Sequence, residues 1–295
     1  MKNQVEHRMK RRDFIQIGIA TPAASFTMVK SQSLTALSTV SDQDIRHSVC
    51  RWCYDNIPLE ELCDRVKDIG IHSIELLHPE EWTLVQARGL ECAVGYANDW
   101  GLTKGFNNPD LHGALRKQYE KAVSLASRDG IGQIIAFPGN RNGIDDEEGL
   151  DNCASGLAPV VQYAEKEGVI ITMELMNSKV DHPDYQADST EWGVRLVEKI
   201  GSPNFKLLYD IYHMQIMEGD IIRTIKENVD YISHFHTAGV PGRHEIDKSQ
   251  ELNYSAIARA IKQSGFKGYI GQEYIPSTGD AFLALAKAVE ICDVS

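Results

Sequence analysis

Four ionisable residues stand at the ends of separate apolar, strand-like runs, namely Glu174, Asp210, His236 and Glu273. Side chains alternate along a strand, and the parity of each run allows all four groups to point to the same side. A carboxylate at the end of a buried strand is costly unless a cation or another partner holds it. Three converging carboxylates would repel one another, so the pattern predicts one divalent cation among these residues.

The donor atoms indicate which cation this would be. Carboxylate oxygens suit Mg²⁺ or Mn²⁺, and the imidazole of His236 shifts the preference towards Mn²⁺ or another transition metal, with Zn²⁺ and Co²⁺ as further candidates. Taken singly, an acid that follows a strand is more often a helix N-cap or a surface group than a ligand. The prediction therefore depends on all four strand ends meeting at one place.

The order of strand-like and helical runs indicates a fold that would bring these ends together. The strand-like runs occupy 47–53, 73–77, 91–96, 131–137, 169–175, 205–211, 231–237 and 269–274. The helical runs occupy 58–69, 79–88, 110–128, 145–167, 188–200, 218–228, 254–264 and 280–291. This alternation predicts an α/β fold, a (β/α)8 TIM barrel of about 250 residues with its active face at the carboxyl ends of the strands. A doubly wound sheet is the alternative, but it would carry a GxGxxG turn, which this sequence lacks.

The first part of the chain differs in kind, and we predict a leader at 1–43 before a single barrel domain at 44–295. Residues 1–40 contain six basic and two acidic side chains, a net charge of +4. The stretch Arg11-Arg12-x-Phe14-Ile15-Gln16, followed by a mild apolar run, resembles a twin-arginine export signal. That run is too short and too polar to span a membrane as a helix. The alternative is a basic, disordered tail on a cytoplasmic protein.

The charge of the chain limits its partners. The whole sequence has a formal net charge of −12, which leaves −16 once the leader is set aside. Such a domain would repel an anionic polymer at long range and has no basic stretch to bind one. We therefore expect no nucleic acid as a partner.

The six cysteines do not indicate a disulfide or a zinc site. Cys50 and Cys53 have CxxC spacing, but both fall in the predicted strand 47–53, where residues three apart are separated by ~10 Å. A disulfide needs Cα atoms closer than about 7 Å. We interpret both as small buried apolar residues.

The long loop 97–109 is of the kind that usually serves function. Glu75 and His78 are not assigned a role from the sequence.

Several motifs carry a resemblance to a known family. They are Met173-Glu174-Leu-Met-Asn177, Tyr209-Asp210-Ile-Tyr-His213-Met-Gln215-x-Met217-Glu218-Gly219, His234-Phe-His236 with Arg243, and Gly271-Gln-Glu273-Tyr274-x-Pro276. Together they resemble the hydroxypyruvate isomerase branch of the xylose-isomerase-like sugar isomerase/epimerase superfamily. The resemblance covers most of the domain and is densest from about 169 to 276.

The resemblance implies a role for each matching residue. The metal ligands would be Glu174, Asp210, His236 and Glu273. The substrate-binding residues would be His213 and Arg243. Glu174 and Glu273 would also form the acid/base pair. The bacterial isomerases of the family have Gln where this chain has His236, whereas its ketose 3-epimerases have His. Homodimers or homotetramers would be ordinary for the family.

The resemblance implies a small-molecule substrate, a sugar or a hydroxy-keto acid, and favours an isomerase of a small hydroxy-carbonyl compound that works through an enediolate. A cation bound by a carbonyl oxygen and the adjacent hydroxyl oxygen acidifies the C–H bond between them. One carboxylate removes that proton, and the other returns it to the neighbouring carbon or, in an epimerase, to the same carbon. Two less favoured readings are an endonuclease-IV-type phosphodiesterase, which needs further ligands and a basic face, and an exported sugar-binding barrel without catalysis.

The leader can be tested apart from the barrel. Fusing residues 1–40 to a reporter should carry the reporter out of the cytoplasm, because the paired arginines and the apolar run occur together. Cell fractionation measures this directly. A reporter that stays in the cytoplasm would instead support the basic-tail interpretation.

Overall fold

Seven parallel strands form the sheet at the centre of this computed structural model, which describes residues 45–277 and 279–294. The predicted leader lies outside the described residues. Along the sheet the strands follow the order β2-β1-β7-β6-β5-β4-β3. The strands are β1 Arg46–Cys50, β2 Ser73–Glu75, β3 Gln133–Ala136, β4 Ile170–Leu175, β5 Phe205–Asp210, β6 Ile232–Thr237 and β7 Tyr269–Gln272.

Segment 91–95 closes this sheet into a ring between β2 and β3. Its residues form isolated parallel bridges, with Glu91 opposite Ser73 and Gly95 opposite both Leu77 and Ile134. The segment predicted as a strand at 91–96 therefore lies where a barrel strand is expected. It forms isolated bridges to its two neighbours instead of a continuous strand. Counting it, the ring has eight strand segments, and the predicted TIM barrel is confirmed.

The helices surround the ring and follow the strands in sequence. They are α1 Leu59–Ile69, α2 Pro79–Ala87, α3 His112–Asp129, α4 Asp146–Glu167, α5 Thr190–Ile200, α6 Ile211–Met217, α7 Ile221–Asn228, α8 Tyr254–Gln263 and α9 Ala281–Cys292. Their boundaries have local causes: Asp145 accepts a hydrogen bond from the N–H of Glu148 at the start of α4, and α1 ends at Gly70, whose φ is 89°. Within the described part of the chain, none of the helices is both long and apolar enough to cross a membrane.

Two predicted boundaries lie three residues from those in the structure, a larger difference than at any other helix or at β2–β7. β1 ends at Cys50, and Arg51–Tyr54 forms a 3₁₀ helix, so Cys53 is not in a strand and the strand-spacing argument does not apply to it. Both thiols are nevertheless free in the part of the chain that the structure describes. The helix predicted at 218–228 begins only at Ile221, after Asp220 in the left-handed region, and α6 precedes it.

The apolar residues form two layers, one outside the ring and one inside it. Outside, the buried faces of the helices, such as Leu62 and Val66 of α1, pack on the strands. Inside, a smaller cluster consists of Cys50, Leu76, Ala93, Val94, Ile135, Leu208 and Tyr269. Buried polar side chains also lie on the strands below their carboxyl ends, among them Ser48, Ser73, Thr172 and His234.

Ring closure at segment 91–95 depends on a glycine. A Cβ at Gly95 would lie 2.7 Å from Cζ2 of Trp82, whose ring is wholly buried and donates a hydrogen bond from Nε1 to the carbonyl of Leu77 at 3.1 Å. We expect Gly95→Ala to lower the free energy of unfolding by about 1–3 kcal/mol, since overpacking forces neighbours to move. Urea unfolding measures the change.

Gly132→Ala is the matched control, because a Cβ there would meet nothing within 4 Å. Its free energy of unfolding should stay within about 0.5 kcal/mol of the parent value. If both variants were equally stable, the close contact at Gly95 would have no energetic consequence and this account of ring closure would be wrong.

Candidate active site

The four ionisable groups predicted at the strand ends meet at the carboxyl end of the barrel. Glu174 lies near the end of β4, Asp210 ends β5, His236 lies in β6, and Glu273 follows β7 directly. One ligand-type atom from each lies within 4.8 Å of the others. None of the four is more than 3% exposed. They form the four-residue cluster, and it has the composition of a cation site.

His236 sits between two of the carboxylates. Its Nδ1 lies 3.1 Å from Oε1 of Glu174 and 3.0 Å from Oε2 of Glu273. Glu273 has two further donors, because Nη2 of Arg243 is 2.7 Å from Oε2 and Nε1 of Trp52 is 2.9 Å from Oε1. Glu273 is therefore the most strongly hydrogen-bonded carboxylate of the cluster.

Asp210 combines a structural and a ligand-like position. Its Oδ1 accepts hydrogen bonds from the N–H groups of Tyr212 and His213, at 2.8 and 3.2 Å, and so caps α6. Its Oδ2 is buried and has no hydrogen-bond partner among the described residues. A buried carboxylate oxygen without a donor is costly. A divalent cation bound by Glu174, Asp210, His236 and Glu273 would satisfy it, so these residues fit a metal.

The proton affinities in the four-residue cluster diverge. Burial and the nearby Glu273 raise the pKa of Glu174 and raise the pKa of Asp210 well above its usual range. Burial acts in the same direction on Glu273, but His236 and Arg243 outweigh it and hold its pKa well below the usual range. Close carboxylates cannot all ionise without compensating charge. Cation binding would therefore release protons from this cluster.

A fifth ionisable residue, Glu75 at the end of β2, lies behind His236. Its Oε1 is 2.8 Å from Nε2 of His236 and 2.9 Å from Nε2 of His234. Burial would raise the pKa of Glu75, but the charges and hydrogen bonds of the two imidazoles lower it. The Sγ of Cys50 also lies 3.4 Å from the same oxygen. Sequence reasoning assigned no role to this carboxylate.

A cavity of about 660 Å³ opens above the four-residue cluster. Glu174, Glu273 and Arg243 line this cavity. Residues of the long loop 97–109, for which the sequence predicts a function, line it as well. The other lining side chains include aromatic, acidic and basic groups, namely Arg51, Trp52, Asp55, His78, Glu81, Tyr96, Phe137 and His182. This volume is in the range of small-molecule sites.

His213 is placed differently from Arg243. It is wholly buried in α6 and is not among the residues that line the cavity. Its Nδ1 lies 2.6 Å from Nδ2 of Asn177, and its Nε2 lies 3.6 Å from Oδ2 of Asp210. Burial, together with Arg243, lowers the pKa of His213 well below its usual range, so the ring is neutral. Its contact with a substrate oxygen remains a prediction.

Trp52 and His182 are two of the lining residues that sequence reasoning did not identify. Trp52 lies between Cys50 and Cys53, and its Nε1–H donates a hydrogen bond to Oε1 of Glu273. His182 lies in the loop after β4, and its Nε2 is buried without a partner in the part of the chain described. Trp52 falls inside the strand predicted at 47–53, and the error in that strand's end concealed its position just beyond β1. No periodic pattern marks His182.

The ring of parallel strands, with ionisable groups and a cavity at their carboxyl ends, defines a TIM barrel with an active-site architecture. The chain belongs to the xylose isomerase-like TIM barrel family, whose profile matches residues 63–290. The resemblance seen in the motifs is thus confirmed at the level of the family.

Individual relatives match shorter stretches. The chain is 35% identical over 113 residues to hydroxypyruvate isomerase of Escherichia coli (strain K12), covering 38% of this chain and 43% of that protein. It spans between 46% and 62% of the length of the first three curated relatives that it matches.

Solved structures show the same fold. An AP endonuclease, family 2, from Brucella melitensis superposes with a TM-score of 0.76 at 23% identity, covering 83% of this chain and 99% of that one. A D-psicose 3-epimerase crystallised in the presence of D-fructose gives a TM-score of 0.66 at 16% identity, covering 83% and 90%. At these identities the likeness establishes the barrel only.

The cation prediction can be tested on purified protein. We expect one divalent cation per chain by elemental analysis, and a higher thermal midpoint when Mn²⁺ is returned after EDTA treatment. A ligand that binds only the folded state stabilises it by about 2.7 kcal/mol at one hundred times its Kd. Absence of both the metal and the shift would overturn the site.

Asp210→Asn separates the ligand role of this residue from its capping role, since Asn also caps helices. We expect the variant to fold but to lose the Mn²⁺ shift. Asp280→Asn is the matched control, because Oδ1 of Asp280 caps α9 through the N–H groups of Phe282 and Leu283. That variant should keep the shift.

Proposed function

We propose that this chain is a metal-dependent isomerase of a small hydroxy-carbonyl compound, of the hydroxypyruvate or tartronate semialdehyde type. The observation that carries the proposal is a pair of buried carboxylates, Glu174 and Glu273. Both line the cavity, and both lie within 3.1 Å of Nδ1 of His236. The motif resemblance and the relative named hydroxypyruvate isomerase support the same class of reaction.

The reaction requires one proton to move between adjacent carbons and another to move between the two oxygens that those carbons carry. A divalent cation in the four-residue cluster would supply the positive charge that stabilises an enediolate. Glu273 suits the base, because the donors Trp52 and Arg243 favour its ionised form. Glu174, whose pKa is raised, suits the acid that returns the proton to the neighbouring carbon. Paired carboxyl groups whose proton affinities diverge are a recurrent arrangement for such chemistry.

The remaining polar groups would hold the substrate. Arg243 reaches the cavity and its guanidinium lies 5.1 Å from the ring centroid of Trp52 and 5.6 Å from that of Tyr212. Its Nε is buried without a partner among the residues described. An arginine with unused donors suits a carboxylate or several hydroxyl oxygens. The Nε2 of His182 provides a second polar atom at the cavity wall.

A sugar epimerase of the ketose 3-epimerase type is the second candidate. One observation favours it: His236 lies in the cluster, and the resemblance associates a His at this position with those epimerases. The same carboxylates would return the proton to the carbon it left. A screen of hydroxypyruvate, tartronate semialdehyde and free ketoses with Mn²⁺ distinguishes the two reactions.

The acid/base assignment predicts the effect of two substitutions. Glu174→Gln and Glu273→Gln should each lower kcat by at least about 10²-fold on the substrate found in that screen, since general acid–base groups contribute 10²–10⁴-fold. Each keeps the size of the side chain, so circular dichroism should report an unchanged fold. Cation content is measured alongside, because both residues belong to the four-residue cluster.

Glu81→Gln is the matched control. Glu81 lines the same cavity, but its Oε2 accepts a hydrogen bond from the N–H of His78 at the start of α2. Its kcat should stay within a few-fold of the parent value. Near-normal turnover by either cluster variant would show that the acid/base pair is assigned wrongly.

A further inference from the structure

Glu75 is a buried carboxylate that the proposed reaction does not use. It is wholly inaccessible to solvent, and its Oε1 is the shared partner of two imidazole nitrogens, Nε2 of His234 and Nε2 of His236. A proton on that oxygen could serve only one of the two nitrogens. An ionised carboxylate can accept from both at once, and then each Nε2 carries a hydrogen.

This hydrogen-bond pattern determines where the lone pair of His236 points. A neutral imidazole that carries its hydrogen on Nε2 presents an unprotonated Nδ1. The Nδ1 of His236 faces Glu174 and Glu273, and so lies inside the four-residue cluster. Glu75 thus lies on the opposite side of the His236 imidazole from the predicted cation. A carboxylate in that place orients a metal-binding histidine and sets its tautomer.

The neighbouring strand leaves room for this contact. A Cβ at Gly271 in β7 would lie 2.1 Å from Oε1 of Glu75 and 2.9 Å from Cδ2 of His236. Any side chain at Gly271 would therefore displace the carboxylate. Directly after Glu75, Leu76 has a φ of 56°, in the left-handed region, and its side chain lines the cavity. The absence of a side chain at Gly271 thus leaves the space that Glu75 occupies inside the barrel.

We propose that Glu75 is a positioning residue that directs the Nδ1 lone pair of His236 at the cation of the four-residue cluster. The inference rests on the proposed metal dependence of the enzyme, but not on the identity of its substrate. In this proposal Glu75 does not bind the cation itself and acts only through His236. The distances of 2.8 and 2.9 Å from its Oε1 to the two imidazoles are those of hydrogen bonds.

The tautomer is measurable in the unaltered protein. Histidine labelled with ¹⁵N, in protein loaded with Zn²⁺, should show a protonated Nε2 and a cation-bound Nδ1 for His236. His236→Gln, which removes one set of signals, assigns them. A His236 that binds Zn²⁺ through Nε2, or carries its hydrogen on Nδ1, would overturn the proposal whether or not any variant of Glu75 folds.

Two variants of Glu75 separate positioning from charge. Glu75→Gln keeps the size of the side chain and should raise the Kd for Mn²⁺ by about 10–100-fold, as loss of such a partner does elsewhere. Glu75→Asp keeps the charge but is one methylene shorter, so it should also weaken binding if reach and orientation matter. Normal Mn²⁺ affinity in Glu75→Asp, with weakened affinity in Glu75→Gln, would point to charge alone and contradict positioning.

Glu245→Gln is the matched control, since Glu245 is also a buried carboxylate. Its oxygens accept hydrogen bonds from the N–H and the hydroxyl of Ser277. Its Kd for Mn²⁺ should equal that of the parent. Equal affinity in Glu75→Gln and the parent would overturn the inference, and so would two Mn²⁺ ions per chain, which would make Glu75 a ligand of a second site. If the parent binds no cation, the proposed metal dependence fails first, and elemental analysis reveals this separately.

Discussion

Burial of three carboxylates in one small volume is the constraint on which the rest of the site depends. Like charges removed from water cost more than any hydrogen bond within the cluster can return, unless opposite charge is close. The barrel supplies part of this charge through Arg243, which is 2.7 Å from Glu273 and 3.8 Å from Asp210. The backbone N–H groups at the start of α6 supply another part. A divalent cation is the remaining contribution that the geometry accommodates.

The same constraint explains why the polar interior extends below the cluster. His236 is shared, with Nδ1 towards Glu273 and Nε2 towards Glu75, so it links the cavity floor to the centre of the ring. Gly271 has no side chain, and this leaves room for the contact between Glu75 and His236. Rigid strands hold the groups that would move protons, whereas loops line the cavity that would select a substrate. This division lets specificity vary without disturbing the chemistry.

Asp210 shows how structural and functional interpretations of one residue combine. The sequence presented a choice between a helix cap and a cation ligand. In the structure one oxygen caps α6, and the other is buried without a partner among the described residues. The cap fixes the rotamer, and the fixed rotamer aims the second oxygen into the cluster. His213, in the same motif, is held by Asn177 and lies behind Asp210.

The sequence by itself determined the order of the elements and the set Glu174, Asp210, His236 and Glu273, because alternation along a strand and apolar runs are local signals. Only the tertiary structure decided which distant side chains meet. Glu75 contacts His236 across 161 positions and Trp52 contacts Glu273 across 221 positions. The tertiary structure also decided that segment 91–95 closes the ring and that β1 ends at Cys50. Such contacts depend on how strands pair around a closed sheet, which no local pattern in the chain records.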